Sequence, residues 1–256
     1  MWLMLDTPIP HLELLTQFGI SHHLVLFDVI TQSKKCKRFY KKVAKKGHWL
    51  TLAGVSDFDD VLPTLRELKV SEVVLPYVPN DREGTLNVVS QFVKEVRSNS
   101  LFGNLSLMGV PQGKNATDFF QCLVSMAENP YISVLGLSKT SVVTGVLPTY
   151  SASLRELFGR FAVLAFLCEE FTNSKPVHIL ELVTPDVEIP FYLRLPFVRS
   201  FDTSFPFRHF SPPEPQQVTS NGIVEWLDYT IELESKALRQ CLVWVEKYLS
   251  LEGIEA

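Results

Sequence analysis

The stretch FVRSFDTSFPF, Phe197 to Phe207, ends an apolar run in Asp202, Thr203 and Ser204. An ionised carboxylate in such a place can attack an anomeric carbon or stabilise oxocarbenium character, and two neighbouring hydroxyls can hold it by hydrogen bonds. The same three residues are also good capping chemistry for a helix or turn. Gln112 and Gly113, in LMGVPQGKN, offer an amide that donates and accepts beside a residue through which a ligand can approach the backbone. An ordinary turn after a strand has the same composition. Tyr77 brings a hydroxyl and a ring that either stacks on a ligand or fills a core. His178, flanked by Val177, Ile179 and Leu180, reads as a satisfied core histidine. Asp57, Asp59 and Asp60 either supply an acid or open a helix, whose dipole favours negative charge there.

Metal and redox chemistry find no such pattern. Cys36, Cys122, Cys168 and Cys241 are far apart, with no C-x-x-C pair and no histidine at ligand spacing, so reduced thiols in a cytoplasm are expected, with no metal and no cofactor. The cluster SKKCKRFYKKVAKK, Ser33 to Lys46, is either a phosphate-contacting patch or a solvated helix face. A formal net charge of -4 gives no overall basic field, so nucleic acid would have to be met by such a local patch.

These residues need a scaffold that brings them together. A chain of 256 residues with a hydrophobic fraction of 46% can bury one substantial core, so residues 1–256 are expected to form a single domain. Seven apolar runs read as strands: His23–Ile30, Trp49–Val55, Glu72–Val78, Asn104–Val110, Tyr131–Leu137, Val177–Leu182 and Phe197–Asp202. Segments of helical period separate them, at Ser33–Lys46, Asp59–Lys69, Gly84–Arg97, Ala116–Ala127 and Ser153–Phe171. A long amphipathic segment, Ile223–Leu249, closes the chain and could cover the barrel or a neighbouring subunit through Trp226, Ile231, Leu238, Leu242 and Val245.

Alternating strands and helices imply parallel β/α units, as an open doubly wound sheet or a closed (β/α)8 barrel. No G-x-G-x-x-G follows the first strand and no Walker lysine motif occurs, so the TIM-like barrel is favoured, with one irregular strand. The N-terminal MWLMLDTPIPHLELL is apolar but contains Asp6 and two prolines and lacks a basic region before it. No run approaches the roughly 18 apolar residues of a membrane span, so a soluble protein with no membrane partner is expected. In a barrel, the carboxyl ends of the strands meet on one face. Those ends are Ala53-Gly54, Pro76-Tyr77, Pro111-Gln112-Gly113, Gly136-Leu137-Ser138, Glu181 and Asp202-Thr203-Ser204.

Taken in order, these ends resemble the tRNA-guanine transglycosylase superfamily, most closely its short branch that places 7-deazaguanine bases into phage and bacterial DNA. EVVLPYVPNDREGTL, LMGVPQGKN, VHILEL and RSFDTSFP carry the resemblance, which spans about His23 to Phe207. It implies a base-exchange glycosyltransferase. Asp202 would attack the anomeric carbon of a guanosine, release guanine, and hold the sugar as a covalent glycosyl-enzyme until a 7-deazaguanine-type base displaces it. Thr203 and Ser204 would help fix the carboxylate. Gln112 falls on the glutamine of the family's V-Q-G motif, which bonds the exchanging base, with Gly113 beside it. Gly136 and Leu137 fall where the family presents backbone groups to the base, and His178 lies in an H-L-L-G-like strand with Glu181 at the glycine position.

Two positions depart from the family. Leu52 stands where the DNA branch has an aspartate thought to act as acid or base, and Pro76-Tyr77 replaces an L-P-D motif whose aspartate recognises the base. The zinc ligands of the tRNA enzymes are absent, which points to the short branch. The implied partners are nucleic acid, DNA rather than tRNA, and a 7-deazaguanine-type base, in the cytoplasm of a bacterium or of a phage's host. Two classes stay open: a transglycosylase whose acid and recognition roles have shifted, or a barrel without turnover that binds DNA, a base or an active partner in a homo- or hetero-oligomer.

Overall fold

The computed structural model describes residues 1–99, 103–138, 152–170, 175–182, 184–210 and 236–249, with the backbone alone for 152–157 and 249. Among these residues eight strands make one parallel sheet: β1 (Trp2–Leu5), β2 (His22–Leu26), β3 (Trp49–Ala53), β4 (Glu72–Val74), β5 (Ser106–Gly109), β6 (Val134–Ser138), β7 (Val177–Leu180) and β8 (Val198–Thr203). The hydrogen-bonded order is β1-β8-β7-β6-β5-β4-β3-β2, and β1 lies alongside β2. The sheet therefore curls into a nearly closed (β/α)8 barrel. Trp2 of β1 stacks on His22 of β2 across the seam, with ring centroids 3.9 Å apart.

The two-residue pleat sorts the side chains into two layers. Met4, Leu24, Ala53, Val74, Met108 and Val134 fill the barrel interior. Their neighbours Leu3, Val25, Leu52, Val73, Leu107 and Leu135 point outward against the helices. Those helices are α1 (Leu12–Gln17), α2 (Phe27–Gln32), α3 (Lys34–Lys45), α4 (Phe58–Leu68), α5 (Arg82–Ser98), α6 (Ala116–Glu128), α7 (Ala152–Glu170), α8 (Pro185–Tyr192), α9 (Phe205–Phe210) and α10 (Lys236–Leu249).

Four helices begin where a short polar side chain accepts an orphan backbone N–H. Ser33 takes that of Cys36 at 3.2 Å, Asp57 that of Asp59 at 2.8 Å, Asp81 that of Gly84 at 3.1 Å and Asn115 that of Asp118 at 2.9 Å. Asp57, Asp59 and Asp60 thus open α4. On α3, Lys37 and Lys41 pair with Glu67 of α4 at 2.6 and 3.2 Å, and Lys42 reaches Glu13 of α1 at 3.5 Å. Part of the basic cluster is therefore engaged with neighbouring helices.

Several elements differ from the sequence expectation, among them the short helices α1, α8 and α9, where no helical segment was read. The eighth strand is β1, at the very N-terminus, where only an apolar stretch was read; four residues followed by Pro8 and Pro10 carry too little alternation to announce a strand. The run from His23 to Ile30 is not one strand: β2 ends at Leu26 and Phe27–Gln32 is α2, in which Thr31 Oγ1 donates to the carbonyls of Phe27 and Asp28. Burial of Val29 and Ile30 overrides their β preference. The closing helix is α10, while its expected beginning, residues 223–235 with Trp226 and Ile231, lies outside the described residues. Leu238, Cys241, Trp244, Val245 and Tyr248 of α10 are buried, and Cys241 Sγ contacts the carbonyl of Pro206 on α9 at 3.0 Å. No helix among the described residues is long and apolar enough to cross a membrane.

Candidate active site at the carboxyl ends of the strands

A cavity of about 520 Å³ opens at the carboxyl ends of the strands. Its floor is apolar, from Leu24, Leu26, Ala53, Val74 and Leu180, and its walls bring in Asp6, Tyr77, Ser138, Glu181, Asp202, Ser204 and Arg208. Larger depressions of about 660 and 720 Å³ run along the outer surfaces of α5 and α6, but they are lined by helix surface and the turn after α6, away from the strand ends.

Asp202 is held by a chain of hydrogen bonds that begins at the opposite end of the barrel. The register of β7 against β8 slips between Val177 and His178, pairing Val177 with Val198 but His178 with Ser200. Arg199 is the extra residue of a bulge, and such an insertion re-aims side chains. Arg199 and Ser200 consequently both engage interior groups, while Val198 joins the outer core, so Val198, Ser200 and Asp202 do not share one face.

Arg199 spans the barrel to Glu72 of β4, with Nη1 donating to Oε2 at 2.9 Å and Nη2 to Oε1 at 2.8 Å. Thr51 and Ser106 donate to the same carboxylate at 3.0 and 2.8 Å. Burial alone would push the Glu72 carboxyl up, yet the Arg199 bonds and charge, with Ser106, hold it below its usual range. Arg199 Nε donates to Ser200 Oγ at 3.2 Å, Ser200 Oγ lies 2.8 Å from His178 Nδ1, and His178 Nε2 lies 3.0 Å from Asp202 Oδ1. A carboxylate can only accept, so His178 directs an Nε2–H at Asp202. The backbone N–H of Glu181 is a second donor to Asp202 Oδ1, at 3.2 Å. Both bonds fall on Oδ1, leaving Oδ2 as the oxygen available to a ligand.

Asp6 stands at the end of β1, its backbone N–H donating to the carbonyl of Thr203 at 3.1 Å. Its carboxyl is pushed up from 3.8 to about 7 by burial first and then by the negative charge of Asp202, with Arg208 opposing and Glu181 reinforcing. Burial and Glu181 also push the Tyr77 phenol up. One cavity thus holds a carboxylate fixed as a hydrogen-bond acceptor and a second carboxyl poised to exchange a proton near neutrality. That combination suits displacement at an anomeric carbon with proton transfer to the leaving group.

Of the residues singled out from the sequence, Asp202, Tyr77 and Ser204 line the cavity, and His178 touches it through Asp202. Thr203 does not; its Oγ1 accepts the N–H of Phe205 at 3.0 Å and caps the turn into α9. Gln112 is buried away from the cavity, accepting the N–H of Asn80 at 3.4 Å. A Cβ on Gly113 would come within 2.2 Å of the Phe119 nitrogen, so this glycine admits the first turn of α6 rather than a ligand. Gly136 faces the barrel interior, where a Cβ would crowd Met108, Val110 and Leu180 at 3.0 to 3.2 Å, and Leu137 is in the outer core. Leu52 also points outward, so no side chain at that pleat position reaches the cavity.

Asp6, Arg199, Arg208 and Glu72 went unread in the sequence. Asp6 follows an apolar run too short to be read as a strand, so nothing in the sequence set it beside Asp202.

No family model matches the chain, and no curated protein matches it. Among solved structures, a crystal structure of dihydrodipicolinate synthase from Agrobacterium tumefaciens str. C58 aligns with 100% of this chain and 90% of that one, at 12% identity and a TM-score of 0.47. A likeness of that size carries no argument about chemistry. The barrel assignment stands on the strand order and register of this chain.

Proposed function

We propose that the chain is a transglycosylase that exchanges guanine in nucleic acid, DNA rather than tRNA, for a 7-deazaguanine-type base. The observation that supports this most is the pairing of Asp6 with Asp202 in one cavity, the first pushed up to about 7 and the second held by His178 and the Glu181 N–H. In the forward half, Asp202 Oδ2 forms a bond to the anomeric carbon as the bond from that carbon to guanine breaks. The departing base keeps the bonding electrons and takes the Asp6 proton. In the return half, the incoming base gives its ring N–H proton to Asp6, its nitrogen bonds the anomeric carbon, and Asp202 leaves as a carboxylate. No oxidant, reductant or metal enters this balance. The acid that the family resemblance would put after the second strand is on this reading Asp6, supplied from β1.

The test is trapping. Full-length protein incubated with guanine-containing DNA is expected to gain the mass of a DNA strand lacking one guanine, and Asp202→Asn to gain none. Binding to DNA or tRNA without an adduct would instead mark a barrel that binds without turnover.

A further inference from the structure

We infer that Tyr40 is a positioning residue for Asp6, acting through a single water held in a void that both side chains line. The proton role of Asp6 rests on the base-exchange reading; its hydration does not. The void measures about 20 Å³ and is bounded by Leu5, Asp6, Thr7, Val29 and Tyr40 among others. It shares Asp6, Leu24 and Leu26 with the larger cavity, so Asp6 stands between the two. Roughly 10–15 Å³ is enough for one water, and a buried water is kept where about two to four polar groups bind it. Asp6, Thr7 and Tyr40 supply three.

The hydroxyl of Tyr40 has no other evident use. Helix α3 buries Cys36, Phe39, Tyr40 and Val43 against the barrel, and Tyr40 is only 5% exposed. Its ring meets His23 and Phe39 edge-on, at centroid distances of 5.7 and 5.1 Å. Phenylalanine would pack there equally well, whereas a buried hydroxyl is a net cost unless it is hydrogen-bonded. Among the described residues no protein group bonds that hydroxyl or the Asp6 carboxyl. Thr7 Oγ1 donates to the Leu5 carbonyl at 3.4 Å and so keeps its lone pairs for another donor.

A water in the void accepts from the Tyr40 O–H and donates one hydrogen each to Asp6 and Thr7, which balances donors and acceptors. Burial first, then Cys36 and Asp6, raise the Tyr40 phenol well above 10, so it remains an O–H donor throughout the range in which Asp6 titrates. The water fixes which way the Asp6 carboxyl turns. Its bond is stronger to a carboxylate than to a neutral carboxyl, so it also favours release of the Asp6 proton. In this it opposes burial and the charges of Asp202 and Glu181, as Arg208 does from the cavity side. Tyr40 and Cys36 are the titratable groups that face the void from α3.

Tyr40→Phe removes the hydroxyl and leaves the ring. The Asp6 carboxyl is followed by carbon NMR in full-length, aspartate-labelled protein without ligand, its resonance assigned by its loss in Asp6→Asn, with thermal unfolding recorded alongside. Tyr40→Phe is expected to raise the Asp6 midpoint by about one pH unit, the equivalent of one hydrogen bond lost from a charged group. A merely structural role would lower the unfolding temperature and leave that midpoint in place. Thr7→Val, which removes the third partner of the water, is expected to move the midpoint the same way and carries the test should Tyr40→Phe fail to fold. An unmoved or lowered midpoint overturns the inference, as does a high-resolution crystal structure with no water in the void. A raised midpoint without a covalent DNA adduct would refute the exchange and leave Tyr40 in its role; an adduct with an unmoved midpoint would do the reverse.

Discussion

Asp6 and Asp202 carry the same functional group into the same cavity, and their neighbours divide the labour between them. Two donors converge on Asp202 Oδ1, whereas Asp6 is buried beside the Asp202 charge and pushed up to about 7. If Asp6 moves the proton, Asp6→Asn should lower exchange by about 10²- to 10⁴-fold, the usual range for a lost general acid or base. Stability should move the other way. A carboxyl whose folded value lies above its ordinary 3.8 stabilises the fold fully below about pH 4, and that contribution is lost as pH rises through about 7. Asp6→Asn is therefore expected to be more stable than the unaltered protein at pH 8, on the order of 1–3 kcal/mol, and to lose that advantage at pH 4. Denaturant midpoints at the two pH values decide it, and a variant no more stable at pH 8 would contradict the raised value. Asp202 was legible in the sequence because a carboxylate in an apolar strand is conspicuous. Asp6 was not, because its importance comes from a residue almost two hundred positions away and from the closing of the barrel.

At the scale of elements, helices with polar caps and apolar stripes could be read in advance. The spans expected for Asp59–Lys69, Gly84–Arg97 and Ala116–Ala127 fall within two residues of α4, α5 and α6 at either end. The bulge in β8 could not be read, because a bulge is defined by what the partner strand does. Its consequence is large: it lets Arg199 span the barrel to a fully buried Glu72 while Ser200 keeps its place beside His178. Removing the arginine strands that carboxylate with only Thr51 and Ser106 for company. Arg199→Met is expected to cost about 3–5 kcal/mol of stability, as for other broken buried pairs, and adding Glu72→Met should restore more than half of it. Urea unfolding of the two single variants and the double variant measures the coupling. A double variant as unstable as Arg199→Met would mean that the arginine acts through Ser200 or Trp2 and not through its ion pair.

The whole molecule sets an acidic mouth at the carboxyl ends of the strands against an aromatic plug at the other end, the usual division in barrels between chemistry and stability. In the plug, Trp2 stacks on His22, Trp49 lies 5.7 Å from Trp2, and Arg199 sits 4.8 Å over the Trp2 ring. Beside it, His23 is buried against Phe39 and Tyr40, with its Nε2 2.9 Å from His48 Nδ1. Burial pushes both imidazoles down from 6.5, that of His22 to about 4 with Arg199 and His48 adding to it, and that of His23 to about 3 with His48 and His22 adding to it. Between about pH 6.5 and 4 the unfolded chain binds protons that these folded histidines refuse, so stability should fall on acidification through that window. Asp6 slopes the opposite way over nearly the same range, but it is one group against two. Each unit of displacement is worth about 1.4 kcal/mol, so the histidines should dominate. The denaturant midpoint is thus expected to drop between pH 7 and pH 4.5, and His23→Phe, which keeps a ring among Phe39 and Tyr40, should flatten the drop. An equally steep decline in His23→Phe would place the acid sensitivity elsewhere, with the Glu72 pair the next group to test.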